Sequence, residues 1–127
     1  MFSITPVYAA LITLLFVWLS IDVIRNRRRA LASLGDKGDK ALQTAIRAHG
    51  NCAEYAPLAL LLMGFAEVQG GGALFLHALG CALLCGRLLH GFGLRMSPLN
   101  LLPRQLGMAL TFGVLIVAAI ANLILTF

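Results

Sequence analysis

A chain of 127 residues that is 60% hydrophobic and only 12% charged, with a mean hydropathy of +0.90, is far more apolar than a soluble domain, in which roughly 25% of residues are charged. Its net charge of +5 rests on ten Lys and Arg against five Asp and Glu. Anchoring orientation in a membrane accounts for that excess, which leaves no reason to expect a nucleic-acid partner. Cys52, Cys81 and Cys85 all fall in apolar stretches without a CxxC or Cys/His spacing, so they are read as small packing residues. Neither a disulfide framework nor a metal site is expected.

Crossing the hydrocarbon layer takes about 20 apolar residues per helix, and four such segments fit: residues 4–24, 45–68, 73–94 and 105–126. The expected fold is therefore all-α, an integral membrane four-helix bundle occupying 1–127 as a single domain, with both termini on the same side. The first segment, "MFSITPVYAALITLLFVWLS", has no basic residue ahead of it and "RNRRR" behind it. That is the reverse of a cleaved secretory signal and marks a retained anchor. Pro6 falls in its first turn, where a missing N–H does little harm. The loop "RRRALASLGDKGDK" that follows is mixed in charge.

The second segment opens on "RAHGNCAEYAPLALLL" (47–62), where an arginine, a histidine, an asparagine, a glutamate and a tyrosine stand at the mouth of an apolar run. Pro57 is expected to free the carbonyl of Ala53 and kink the helix beyond that cluster. The next connection, "EVQGGGALF", predicts a tight turn and an antiparallel hairpin of helices two and three. The third segment is rich in small residues (Ala78, Gly80, Cys81, Ala82, Cys85, Gly86) that permit close helix approach in lipid. Pro98 and Pro103 should keep the last connection non-helical, and Asn122 should make an interhelical hydrogen bond in the fourth helix.

With four spans, all ten cations lie in, or within about two turns of, the loops after helices one and three. The positive-inside rule then places both loops in the cytoplasm and both termini outside, with the basic face favoured by anionic membrane lipid.

At 100° per residue, Arg47, Asn51 and Glu54 share one stripe with Leu58, and Tyr55 lies at its edge. His49 is on the other side, placed to cap or contact a neighbour. Glu54 is about 10 Å deeper than Arg47, a costly depth for a charge unless a partner or a wet cavity faces it. Arg87 reaches a similar depth on helix three and is the expected partner. Asp22 can offset charge through Arg25 or Asn26, three and four residues on. Even so, Arg25, Arg47, Arg87 and Arg104 outnumber the one buried carboxylate, and an anionic ligand would balance the set.

These residues resemble those of a known family, the membrane-associated proteins in eicosanoid and glutathione metabolism (MAPEG). "R-A-H-x-N-x-x-E" (Arg47, His49, Asn51, Glu54), followed by a tyrosine and a proline, is similar to the family's second-helix signature. "G-R-L-L-H-G-F" (Arg87, His90) is similar to its third helix, and "R-N-R-R-R-A-L-A" to its basic first loop. The likeness extends over nearly the full chain. It implies a homotrimer with glutathione as co-substrate, held between neighbouring subunits near the cytoplasmic side, with no metal. The residues implied for glutathione binding are Arg25, Arg47, Asn51, Glu54, Tyr55, Arg87 and His90. Arg104 matches the arginine that activates the thiol, with Arg95 as a rival. Leu94 stands where several members have a tyrosine.

The chemistry is coherent with that implication. Glutathione carries two carboxylates suited to bidentate arginine contacts and an ammonium suited to a glutamate. Its thiol is mostly protonated at neutral pH, and a nearby guanidinium favours the thiolate that attacks. The expected function is a glutathione-dependent transferase or peroxidase acting on hydrophobic electrophiles or lipid hydroperoxides, in a bacterial inner membrane with the site toward the cytoplasm. Two other classes remain open: a non-catalytic lipid-binding or scaffold member of the same family, and a small transporter built on an intramembrane Glu–Arg pair.

Overall fold

In the computed structural model, which describes residues 2–96 and 99–127, the chain forms α1 (Thr5–Ala30), α2 (Lys40–Val68), α3 (Ala73–Met96) and α4 (Leu102–Thr126). No strand occurs among the described residues. Each apolar segment becomes a helix, and each helix outruns its apolar stretch. The run "RNRRR" stays helical to Ala30, because arginine is a good helix former and cations favour the last turn. Leu31 then ends α1 in the left-handed region at φ 52°. At the next start, the Asp39 carboxylate accepts the N–H of Leu42 at 2.8 Å, an N-cap that draws the beginning of α2 back to Lys40. Pro103 opens α4 instead of separating it from α3. Pro98 lies outside the described residues.

By length and composition, three helices among the described residues qualify as membrane spans: α1, α3 and α4. The fourth expected span, α2, falls short of that measure because its 29 residues include Lys40, Arg47, Glu54 and Glu67. Those charges dilute an otherwise apolar helix, which nonetheless packs against α1, α3 and α4. It continues unbroken through Pro57. The hairpin of α2 and α3 closes over Gln69–Gly72, with Gly70 at φ 87° and the Gly71 N–H on the Ala66 carbonyl at 2.8 Å.

The core is assembled at helical spacing. Tyr8, Ile12, Leu15 and Leu19 of α1 meet Cys52, Ala56, Ala59 and Met63 of α2, with Leu79 and Leu83 of α3 and Val114 and Ala118 of α4. Large apolar side chains such as Leu14, Leu74, Ile116 and Leu123 point outward, as they do where lipid replaces water as the solvent. Two glycines bring α3 and α4 together: a Cβ on Gly107 would lie 2.5 Å from the Gly86 carbonyl oxygen and 2.8 Å from the His90 nitrogen. Gly80 likewise makes room for the Tyr8 ring.

Polar contacts fasten the two ends. Glu67, near the end of α2, accepts the N–H groups of Ser3, Ile4 and Thr5 at 2.6, 2.7 and 2.8 Å, so it supplies from another helix the cap that α1 lacks locally. Asn122 makes the expected interhelical bond, donating to the Leu62 carbonyl at 2.8 Å and accepting from Gln69 at 2.7 Å. At the opposite end, Arg29 pairs with Asp39 at 2.5 Å, and Arg27 donates to the Gly35 carbonyl at 2.7 Å, folding the basic loop onto its helix ends.

Candidate functional site

Arg87 is the centre of the polar interior. Its residue is 2% exposed, and every acceptor its guanidinium finds is neutral. Nη1 donates to Asn51 Oδ1 at 2.5 Å and to the Asn51 carbonyl at 3.4 Å. Nε and Nη2 both donate to Thr111 Oγ1, at 3.1 and 2.7 Å, and Nη2 also reaches Met108 Sδ at 3.5 Å. Thr111 in turn donates to the Gly107 carbonyl at 2.8 Å. The network joins α2, α3 and α4, and it is possible because Gly86 and Gly107 let α3 and α4 approach.

The expected Glu54–Arg87 pair does not form. Glu54 pairs instead with Arg47, 3.5 Å away on the outer face of α2, where the two side chains are 52% and 60% exposed. The stripe that joins Arg47, Asn51 and Glu54 is broad, since positions three and four apart diverge by 60° and 40°. Asn51 alone of the three points into the bundle. A Cβ on Gly50 would meet both side chains of the Arg47–Glu54 pair, at 3.6 and 3.8 Å. Tyr55, half-buried, meets Phe112 of α4 edge-on with ring centroids 5.5 Å apart.

His90 is buried at the α3–α4 crossing, one turn beyond Arg87, within electrostatic reach of Arg87, Arg104 and Arg47. Arg104 is exposed in the first turn of α4. It lines a surface groove of about 480 Å³ with Leu101, Gln105, Met108, Ala109 and Phe112. Met108 and Phe112 thus connect the groove of Arg104 to Arg87 and Tyr55. Arg25 stands exposed toward the end of α1, and the chain brings it to none of these groups. His49 stacks on Phe16 of α1 at 4.6 Å.

Three features were not legible locally. Asp22 accepts from Arg95 Nη2 at 2.9 Å, an ion pair between α1 and the last turn of α3; Asn26 Nδ2 also donates to Asp22, while Arg25 does not contribute. That engages Arg95, the rival of Arg104. Thr111 carried no sequence signal as a polar partner, since one threonine in an apolar helix more often bonds its own backbone. Of the cysteines only Cys52 is buried; Cys81 and Cys85 are exposed on α3, with Cys81 Sγ 3.2 Å from the Tyr8 hydroxyl.

Helices of this length and hydropathy, wrapped around a charged and hydrogen-bonded interior, define a small polytopic membrane protein. The model of the MAPEG family matches residues 5–124, and the chain belongs to that family. Among its relatives is the inner membrane protein YecN of Escherichia coli K12, 39% identical over 120 residues that span 94% of this chain and 90% of YecN. The YecN of E. coli strain CFT073 matches to the same extent.

Proposed function

We propose that this protein is a glutathione-dependent membrane enzyme, a transferase or peroxidase acting on hydrophobic electrophiles or lipid hydroperoxides. The observation that carries the reading is the buried Arg87 guanidinium, whose partners Asn51, Thr111 and Met108 are all uncharged. A cation taken out of water without a counter-ion is costly, and a bound carboxylate would supply the missing charge. Glutathione offers two.

A second observation supports assembly. Arg47 and Glu54 sit exposed on the outer face of α2, a helix otherwise surrounded by apolar surface, and an ion pair facing hydrocarbon is expensive. A second copy of the chain against that face, as in a homotrimer, would cover it. The same assembly would bring a neighbour's Arg25 to a site that this chain's own Arg25 does not reach.

In this arrangement Arg47, Asn51, Glu54, Tyr55, Arg87 and His90 would line the glutathione site, Arg25 would close it, and Arg104 would face the thiol. The guanidinium of Arg104 stabilises the thiolate electrostatically and carries no proton itself. The thiolate sulfur attacks an electrophilic carbon to give a thioether, while the bond broken at that carbon, to a leaving group, an epoxide oxygen or a conjugated π partner, leaves its electron pair on an atom that water protonates. With a hydroperoxide, two glutathione molecules are oxidised to the disulfide while the peroxide is reduced to an alcohol and water. The hydrophobic substrate would approach along the groove of Met108, Ala109 and Phe112. The positive-inside rule supports a site on the cytoplasmic side, with both termini outside.

Leu94, half-buried against the core, favours a second reading, a non-catalytic lipid-binding scaffold, because it leaves no aromatic hydroxyl one turn after His90. Calorimetric titration of glutathione into detergent-purified protein separates the readings. We expect binding in the wild type that is lost in Arg87→Ala and weakened in Glu54→Gln, with thiolate absorbance near 240 nm appearing at neutral pH. Binding without thiolate would leave the scaffold; no binding at millimolar glutathione would end the glutathione reading altogether.

A further inference from the structure

We infer that Thr111 is a positioning residue of the candidate site, acting through Arg87 to fix the orientation of the Asn51 amide. The inference rests on the glutathione reading for its functional consequence, but its geometric content stands on its own.

Thr111 is fully buried, and its hydroxyl is used completely. It accepts from Nε and Nη2 of Arg87 at 3.1 and 2.7 Å, and donates to the Gly107 carbonyl at 2.8 Å. Two donors of one planar guanidinium converging on one oxygen fix the plane of the group, because the fork is rigid. The donated bond to Gly107 fixes the oxygen in turn.

With its plane set, Arg87 presents Nη1 to Asn51 Oδ1 at 2.5 Å. A primary amide has an acceptor end and a donor end. Occupying Oδ1 from the buried side leaves the Nδ2 group on the side of the amide turned away from Arg87. Nδ2 makes no hydrogen bond to the described residues and is not among the buried atoms left without a partner. The amide therefore keeps two N–H donors for a bound carboxylate. In this arrangement Arg87 contributes charge and orientation from behind, and Asn51 makes the contact.

The path needs a hydroxyl at 111 and no other property of threonine. Thr111→Val keeps the shape and deletes the oxygen; Thr111→Ser keeps the oxygen and deletes a methyl group. The chain has four asparagines, Asn26, Asn51, Asn100 and Asn122, so protein labelled with 15N at asparagine gives a small set of side-chain NH2 signals. The Asn51 pair is assigned by its absence in Asn51→Ala. We expect Thr111→Val to shift or broaden the Asn51 pair while leaving that of Asn122 in place, and Thr111→Ser to restore it. Glutathione affinity should fall roughly ten-fold in Thr111→Val and return in Thr111→Ser.

An unmoved Asn51 signal in Thr111→Val overturns the inference whatever glutathione does. A moved signal with unchanged affinity overturns its functional part and leaves the glutathione reading intact. Absence of glutathione binding in the wild type removes that reading, and with it the role given to Thr111, even where the Asn51 signal responds.

Discussion

Gly86 of α3 and Gly107 of α4 meet backbone to backbone, with the Gly86 carbonyl oxygen 2.5 Å from where a Cβ on Gly107 would stand. Neither chain can swing aside, since the atoms in the way are main chain. Gly107→Ala should therefore destabilise the protein by about 1–3 kcal/mol, the usual range for overpacking a close contact. It should also disturb the Arg87 network, whose Thr111 bonds the Gly107 carbonyl. Gly113 on the same helix has open space around its Cβ position, and Gly113→Ala should stabilise by up to about 1 kcal/mol through helix propensity alone. Denaturation in detergent micelles checks both, and a harmless Gly107→Ala would show that the helices do not cross there.

The cap that Glu67 places on α1 gives a second test. Three backbone donors converge on a buried carboxylate at the positive end of a helix dipole. Bonds to a charged acceptor are stronger than neutral ones, and lost partners leave donors stranded. Glu67→Ala should cost about 2–4 kcal/mol and Glu67→Gln roughly half as much, since one oxygen remains. Hydrogen exchange at Ser3 to Thr5 should accelerate in both; unchanged exchange would refute the cap.

Asp22 and Arg95 should be energetically coupled. Both side chains are mostly buried, 13% and 24% exposed, so removing either strands the other. A double-mutant cycle with Asp22→Asn and Arg95→Gln should return a coupling of about 1–2 kcal/mol. A coupling near zero would mean that the pair only decorates the helix ends.

The basic loop predicts an acid dependence. The Arg29 guanidinium, followed by the Leu42 N–H, holds the Asp39 carboxyl below the usual carboxylate range. A depressed folded-state pKa contributes stability that is present above the unfolded value, near 4, and is lost as pH falls through the lower, folded value. The difference in melting temperature between wild type and Asp39→Asn should therefore be present at pH 7 and shrink as the pH drops below about 4. A difference that stays constant through that range would point to a cause other than the charge.

Most of the fold could be read in the sequence because membrane helices announce themselves by apolar length, and the signals that bound the apolar stretches are local: "RNRRR", the glycines of "EVQGGGALF", and Pro6. Asn122 stood out as a lone amide in lipid and does bond across helices. The interior of the candidate site was only half legible. Periodicity placed Arg47, Asn51 and Glu54 on one stripe, but a stripe about 60° wide straddles the boundary between a buried and an exposed face. The packing of α2 decides which residue turns inward, and it chose Asn51. The same limit explains Arg87, whose partner across the bundle proved to be Thr111 and Asn51 instead of Glu54. Glu67 and Asp22 were visible as charges, but their partners lie 62 to 64 and 73 residues away in the chain, where no local pattern reaches.

The distance between Glu67 and the first turn of α1 also has a temporal side. The ribosome releases Ser3, Ile4 and Thr5 sixty-two or more residues before the carboxylate that will receive them. Until α2 has been delivered almost to its last turn, the leading end of α1 carries bare amides that only water or headgroups can serve. The cap of the first helix is thereby completed only after nearly all of the second has been made. A residue at the end of the second helix thus finishes the beginning of the first.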